Sequence, residues 1–199
     1  MEELKLQMAF LKEVEKLKTV YRQNVVIDGT RSENSAEHSW HVALMAIILS
    51  GHAEASDLNI LKVVTMLLIH DIVEIDAGDT FLYDEAANMD KQDREQRAAE
   101  RIFGLLPAEQ GQRLRELWQE FEECATPEAR FAASLDGMQP VVNHYCTNGI
   151  GIRRKDLTRQ QVIAKKQFIA EVAPQLWQYT LQTIEDSTDA GLYQRDADN

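Results

Sequence analysis

The chain has 199 residues, of which 44% are hydrophobic and 27% charged, and this is enough for one medium-sized domain with its own apolar core. Its formal net charge of −12 repels phosphate backbones, so we expect no nucleic-acid partner and no binding to an anionic membrane. A small phosphate ligand stays compatible with this charge, because one local cation or metal can outweigh the overall sign.

The sequence has none of the features of a secreted or membrane protein. Its first 17 residues carry acids throughout and no uninterrupted apolar stretch, and no later run approaches the length of a membrane span. The two cysteines, Cys124 and Cys146, are far apart and show no metal-type spacing and no disulfide framework. These features predict a reduced, cytoplasmic compartment.

Helical periodicity dominates the N-terminal part of the chain. The predicted elements are, in order, a helix over 4–21, a turn at 28–29, a helix over 34–51 and a helix over 58–75. Asn34, with Glu37 three residues later, resembles a capping box. Asp57 is the expected cap of the following helix.

Helices are also predicted through the rest of the chain. They are expected, in order, over 91–106, 112–123, 127–145, 158–173 and 174–185, with loops over 77–90 and 147–156. Thr126 and Thr158 stand where the caps of two of these helices belong, and Pro140 predicts a kink. Because no stretch alternates in the manner of a strand, we expect an all-α, single-domain helical bundle over residues 1–185. A polar, flexible tail is expected over 186–199.

A histidine and two acids follow an apolar helical run at the sequence HDIVE. His70, Asp71 and Glu74 fall within one helical turn and project toward one side. A second histidine, His38, lies in the first turn of another helix, and Asp136 lies in an apolar helical context where a lone carboxylate is unfavourable. Two imidazoles and two carboxylates suit a divalent transition metal and leave positions open for water and substrate. The sequence therefore predicts a metal site.

Four blocks of the sequence resemble one known family. The order His38 … His70-Asp71 … Asp136 is similar to the ligand set of the HD-domain metal-dependent phosphohydrolases. The segments RSENSAEHS, HDIVEIDAGDT, KQDREQRAAERIFGLLP and ARFAASLDGMQPVVNHY resemble the small one-domain branch that contains the 5′-deoxynucleotidases. The resemblance extends from about Leu11 to Glu185. It implies a phosphomonoesterase that acts on nucleoside or deoxynucleoside 5′-monophosphates, or on a similar small phosphate ester.

The resemblance also implies roles for single residues. The implied metal ligands are His38, His70, Asp71 and Asp136. Glu74 would position or deprotonate the attacking water, and Asp79 would contact the substrate or protonate the leaving group. Arg22, in LKTVYR, is the candidate for the substrate phosphate and Arg31 is the alternative, since a guanidinium fork matches two phosphate oxygens.

The implied cofactor is one divalent ion: Mn, Co, Mg, Zn, Ni or Fe. Two-metal HD enzymes usually draw extra histidines from the interval between Asp71 and Asp136, and this chain has none there. Gln23 follows Arg22, with no bulky aromatic beside it to contact a sugar, which leaves the choice between deoxy- and ribonucleotides open. Small proteins of this kind often form dimers, so the expected partners are a phosphate ester and a second copy of the chain.

Other interpretations stay open at the level of sequence. They are cleavage of a phosphodiester or pyrophosphate, sensing of a nucleotide without turnover, and a helical protein without metal in which His70–Asp71 is a hydrogen-bonded helix end. Glu74 argues against the sensor, which has no need of a water-activating acid. His41 is expected to pack beside the site, and His52 and His144 are expected to be structural or surface residues.

Overall fold

The computed structural model describes residues 1–151 and 157–196, which form a helical bundle with one short hairpin. The helices are, in chain order, α1 (Glu2–Val14), α2 (Ser35–Leu49), α3 (Ile60–Ile69), α4 (Glu74–Ala77), α5 (Glu85–Asn88), α6 (Lys91–Phe103), α7 (Ala108–Glu122), α8 (Pro127–Cys146), α9 (Arg159–Lys166), α10 (Ile169–Val172) and α11 (Pro174–Asp189). The strands are β1 (Tyr21–Val25) and β2 (Ser32–Asn34), and 3-10 turns cover Glu15–Thr19, Ser50–His52 and His70–Val73. The predicted all-α fold class is confirmed. Residues 152–156 of the predicted loop and 197–199 of the predicted tail lie outside the described residues.

Polar side chains fix the starts of the helices that carry the site. Asn34 accepts a hydrogen bond from the Glu37 N–H at 3.0 Å, and the Glu37 carboxylate accepts one from the Asn34 N–H, so the predicted capping box of α2 is confirmed. Thr126 and Thr158 cap α8 and α9 as predicted. Pro140 lies inside α8 and does not end it, since the helix continues to Cys146.

The helix expected over 58–75 differs from the prediction at both ends. Asn59, and not Asp57, caps α3, because the Asn59 side chain accepts a backbone N–H of the first turn. The helix then breaks into the 3-10 turn His70–Val73 before α4 begins. The His70 ring donates to the carbonyl of Leu67, one of the last carbonyls of α3, so the histidine itself satisfies an acceptor at the helix end.

A hairpin lies where helix and turn were expected, so the expectation of no strand is wrong for this segment. α1 and its 3-10 turn end before residue 20, and β1 pairs antiparallel with β2. The predicted turn joins the strands: Asp28 Oδ1 accepts from the Thr30 N–H, and Gly29 has a φ of 71°, in the region that favours glycine. The strands span only five and three residues, which is too short for alternation to stand out from the sequence.

Two apolar clusters support the bundle. The first is formed mainly by α2, α3, α8 and α10, and its fully buried members include Val42, Met66, Leu67, Phe131, Leu135 and Ile169. The second is formed mainly by α1, α6 and α7, and includes Phe10, Ala99, Ile102, Phe103 and Trp118. The turn His70–Val73 follows a helix of the first cluster and places Ile72 and Val73 in the second. Within the described residues, none of the helices has the length and apolar character needed to cross a membrane.

The C-terminal segment is packed further than the sequence predicted. α11 passes residue 185 and ends at Asp189. Tyr193 is buried and stacks on His144 with ring centroids 4.9 Å apart. The Gln194 N–H donates to the Leu157 carbonyl at 2.9 Å. Residues 186–196 therefore contact the domain, in contrast to the free polar tail that was expected.

Candidate metal centre

The four side chains predicted to hold a metal lie together, and we call them the metal cluster: His38, His70, Asp71 and Asp136. They come from the first turn of α2, from the 3-10 turn after α3 and from the middle of α8. Ligand atoms of His38, His70 and Asp71 lie within 4.8 Å of one another. Asp136 Oδ1 is 2.8 Å from His38 Nε2 and 3.6 Å from His70 Nε2. The fold thus brings the four residues together, and their role as ligands stays a prediction.

Hydrogen bonds behind each imidazole fix which ring nitrogen faces the cluster. His70 Nδ1 is 2.8 Å from the Leu67 carbonyl oxygen, which can only accept, so Nδ1 carries a proton and Nε2 is the nitrogen that faces the cluster. His38 Nδ1 is 3.1 Å from Gln139 Oε1, while the Gln139 amide donates from Nε2 to Glu33 at 3.0 Å. Both rings therefore direct Nε2 inward, as metal-bound histidines do.

This donor set needs a cation at its centre. With both Nδ1 atoms protonated, His38 Nε2 and Asp136 Oδ1 face each other as two lone pairs at 2.8 Å. His70 Nε2 is buried and has no hydrogen-bond partner among the described residues. Donor separations of 2.8 and 3.6 Å are those of atoms that share one ion at about 2.0–2.2 Å. The two imidazoles and the carboxylates beside them therefore fit a divalent metal.

Without a metal, the cluster holds protons in its place. Burial opposes a charge on His70, but Asp71 and Asp136 outweigh it and raise the pKa of His70 to about 9. Burial, together with the charge of Arg22, lowers the pKa of His38. Burial also opposes ionisation of Asp136, but its contacts with the two imidazoles outweigh that effect and hold the Asp136 pKa well below its usual range.

Two further acids, both predicted to be catalytic, lie beside the cluster. Glu74, at the start of α4, is buried and accepts a hydrogen bond from the Ser35 hydroxyl at 2.6 Å. Burial and the charges of Asp71 and Asp79 raise the pKa of Glu74 to about 9. Burial, followed by the charge of Asp71, also raises the pKa of Asp79. The structure places both acids on the cavity wall, and their roles stay predictions.

Arg22, the first candidate for the substrate phosphate, ties these carboxylates together. Its Nη1 donates to Asp71 Oδ2 at 3.0 Å and lies 3.9 Å from Asp79 Oδ1. Its Nε is 3.7 Å from Glu33 Oε2. The side chain is only 14% exposed, yet the surrounding carboxylates outweigh burial and raise its pKa. The hairpin that the sequence did not reveal is the element that carries Arg22 to the cluster.

Arg31, the alternative candidate, is held elsewhere. Its side chain is 51% exposed, and its Nη2 and Nη1 lie 2.7 and 2.8 Å from the two carboxylate oxygens of Glu37. Since Glu37 is the second residue of the capping box of α2, this ion pair supports the start of that helix. The described residues that line the cavity do not include Arg31, so the structure does not favour a phosphate role for it.

Asp71 and Asp136 of the metal cluster line a cavity of about 320 Å³. Besides Arg22 and the acids, its lining includes Phe81, Tyr83, Lys91, Lys165, Lys166 and Phe168. A second cavity, of about 470 Å³, is mostly apolar, with Met45 and Leu49 in its wall and no carboxylate among its described lining residues. His41 lines that second cavity and reaches Gln139, as expected of a residue packed beside the site. The charged cavity is therefore the candidate active site.

Several residues at the site were not singled out from the sequence. Gln139 lies one helical turn after Asp136, and that spacing was a usable signal for a residue behind the cluster. Glu33 depends on the pairing of β1 with β2, and Lys166 comes from a helix remote in sequence. No pattern in the sequence identifies these two.

The fold and the cluster together define a class: a helical domain with a His/Asp cluster that could bind a metal ion. The family model for the HD domain matches residues 14–177, a range that contains the whole cluster, so the chain belongs to the HD domain family. It is similar to the 5′-deoxynucleotidase HDDC2 of Homo sapiens, at 32% identity over 136 residues, which cover 68% of this chain and 65% of the human protein. The 5′-deoxynucleotidase HDDC2 of Dictyostelium discoideum is 29% identical over 143 residues, covering 69% of this chain and 75% of that protein. The match thus spans slightly less than two thirds of the human relative.

One crystal structure is similar over almost the whole chain. It is that of a predicted metal-dependent phosphohydrolase from Magnetospirillum magnetotacticum MS-1, with a TM-score of 0.90 and 43% identity. The alignment covers 96% of this chain and 95% of that one. A conserved hypothetical protein from Pyrococcus furiosus, at 16% identity and a TM-score of 0.63, shares the fold.

Proposed function

We propose that this protein is a metal-dependent phosphomonoesterase that releases phosphate from nucleoside or deoxynucleoside 5′-monophosphates. The observation that carries the proposal is the metal cluster, with Glu74 and Asp79 beside it on the wall of one cavity. The names of the human and Dictyostelium relatives and of the Magnetospirillum neighbour support a phosphohydrolase and, more narrowly, a nucleotidase. Phe81, Tyr83 and Phe168 give the cavity aromatic surface on which a nucleobase can stack.

In the proposed reaction each polar side chain has a task, which its position at the site supports. A divalent ion, when bound, polarises the phosphoryl group and lowers the pKa of a coordinated water. Glu74 is anchored to Ser35 through one carboxylate oxygen. A cation held by the cluster would lower the Glu74 pKa again, so that the other oxygen would orient the attacking water and take its proton. Asp79, whose pKa is raised, is placed to protonate the leaving oxygen of the nucleoside. Arg22 fixes Asp71 and stabilises the charge of the phosphate.

The assembly and the cofactor are part of the same proposal. The four donors of the cluster support a single ion, with Mn, Co, Mg, Zn, Ni and Fe as candidates. Trp40, Ile47 and Ile48 are exposed on α2, and such an apolar surface supports a homodimer. Cys124 and Cys146 are both free and exposed, which supports a reducing, cytoplasmic compartment.

The test is release of phosphate from a panel of ribo- and deoxynucleoside monophosphates with Mn²⁺, Co²⁺ or Mg²⁺. We expect the wild type to yield only nucleoside and orthophosphate. The variant Glu74→Gln should lose roughly 100- to 10,000-fold in kcat, the usual contribution of a general base, while it keeps its metal. Glu109→Gln, which changes an exposed acid of α7, is the matched control and should behave as wild type.

The products separate this function from its rivals. Release of pyrophosphate, or cleavage of a diester in preference to a monoester, would identify another phosphohydrolase activity. Tight binding of a nucleotide without turnover under every metal would identify a sensor. A wild-type rate in Glu74→Gln would remove this residue from the mechanism.

A further inference from the structure

Lys166, the last residue of α9, is a mostly buried lysine at the candidate active site. It is 8% exposed and lines the same cavity as Arg22 and Asp136. Its aliphatic stem crosses Gly137, since a Cβ added at that glycine would lie 3.7 Å from Lys166 Cδ. The side chain therefore passes directly beside the residue that follows Asp136.

This ammonium has no partner in the part of the chain that the structure describes. No carboxylate lies within 4.0 Å of its Nζ, and no hydrogen bond is formed by its side chain there. Other partly buried lysines are paired: Lys91 Nζ lies 3.4 Å from Glu95, and Lys62 Nζ lies 2.6 Å from Glu120. A cation that is largely withdrawn from water and has no partner among the described residues is unfavourable, so its place on the cavity wall points to an anionic ligand.

Arg22 and Lys166 differ in how far nearby carboxylates compensate their positive charge. Arg22 lies within 4.0 Å of three carboxylates, those of Glu33, Asp71 and Asp79, so the protein already neutralises it. Lys166 interacts with the cluster only at longer range, through the charge of Asp136. A ligand dianion that enters the cavity therefore gains more from Lys166 than from a cation that is already compensated.

We propose that Lys166 binds a non-bridging oxygen of the phosphate monoester on which the enzyme acts. This inference rests on the proposed function for the identity of the substrate, although it also predicts affinity for free orthophosphate. The stem held beside Gly137 sets the direction from which the ammonium meets the phosphate. Lys166 is thus a specificity residue for a dianionic phosphate, in addition to Arg22.

The experiment measures orthophosphate binding to the Mn²⁺-loaded protein by titration calorimetry, with Lys166→Met and Lys12→Met. Both variants remove one positive charge, but Lys12 is exposed on α1 and does not line the cavity. We expect Lys166→Met to weaken phosphate binding about 10- to 100-fold, as for loss of a charge-assisted hydrogen bond, and Lys12→Met to bind as wild type. Lys166→Arg, which keeps the charge, should recover most of the affinity.

Two further readouts exclude a merely structural role. In turnover assays Lys166→Met should raise KM for the nucleotide more than it lowers kcat, and the inhibition constant of the product nucleoside, which has no phosphate, should not change. Its melting temperature should not fall, because the substitution removes no ion pair or hydrogen bond that Lys166 makes with the described residues. Unchanged phosphate affinity, or an equal loss of nucleoside affinity, would overturn the inference. If Lys166→Met does not fold, the same measurements are made on Lys166→Gln. Phosphate binding that depends on Lys166 without any hydrolysis would reject the proposed function and keep the inference.

Discussion

The inner and outer walls of the cavity hold their polar side chains in different ways. The inner wall is the metal cluster, which reaches the cavity through Asp71 and Asp136. Its side chains come from α2, α8 and the turn after α3. The outer wall consists of the segments 79–83 and 165–168, which lie in a loop and around the end of α9. Inner-wall groups are fixed by hydrogen bonds behind them, as with His38 on Gln139. Lys166, on the outer wall, has no such partner within residues 1–151 and 157–196. Rigid helices thus fix the chemistry, and less constrained segments are left to meet the substrate.

The largest effect is expected for a ligand of the inner wall. His70→Ala removes one of four donors and leaves the carboxylates without a second imidazole. We expect metal affinity to fall by more than the roughly 10- to 100-fold that a lost outer-sphere partner costs, and phosphatase activity to be lost with it. Metal content after gel filtration, measured by mass spectrometry, checks this.

His52→Ala is the matched control for this variant. His52 is exposed and its ring donates to Gln175 at 2.6 Å, away from the cluster. It should retain wild-type metal content and activity. Full metal occupancy in His70→Ala would show that the inner wall is not the metal site.

The next largest effect separates the two arginines of the hairpin region. Arg22→Gln removes a guanidinium that bonds Asp71 at 3.0 Å, and we expect kcat/KM to fall by roughly 100-fold at saturating metal, the upper range for a charge-assisted hydrogen bond. Arg31→Gln removes an exposed ion pair with Glu37 and a hydrogen bond to the Ser32 carbonyl, and should leave kcat/KM unchanged. An equal loss of kcat/KM in both variants would mean that the Arg31 side chain moves away from Glu37 and contacts the substrate.

A smaller effect tests the hydrogen bonds behind the inner wall. Gln139→Ala removes the acceptor of His38 Nδ1 and should lower metal affinity by roughly tenfold, while leaving all four donors in place. Gln175→Ala removes the same kind of bond from the exposed His52 and should have no effect. Titration with Mn²⁺ in the presence of a competing chelator measures both, and equal affinities would show that Gln139 does not orient the ring.

The same division explains what the sequence could predict. Metal donors stand out when they interrupt apolar helices, so His38, His70, Asp71 and Asp136 were identifiable, as was the Asn34 cap. The hairpin that carries Arg22 and Glu33 was not, because strands this short leave no alternation, and the choice between Arg22 and Arg31 depends on that pairing. Lys166 was not identifiable either, since a basic residue in the last turn of a helix is what the helix dipole favours on any exposed surface. Only its burial distinguishes it.

The last prediction needs no substitution: it concerns the protons that a metal must displace, and it follows from the charge of the inner wall. The raised pKa of His70, about 9, means that the metal-free protein carries a proton there at pH 7, and a ligand nitrogen must lose it. Mn²⁺ binding at pH 7 should therefore release at least one proton, and metal affinity should rise with pH until it levels off above about pH 9. Calorimetry in buffers of different ionisation enthalpy counts the protons directly. Affinity that is constant between pH 6 and pH 8 would mean that His70 is neutral in the metal-free protein. The charges of Asp71 and Asp136 would then not be balanced by a proton on His70.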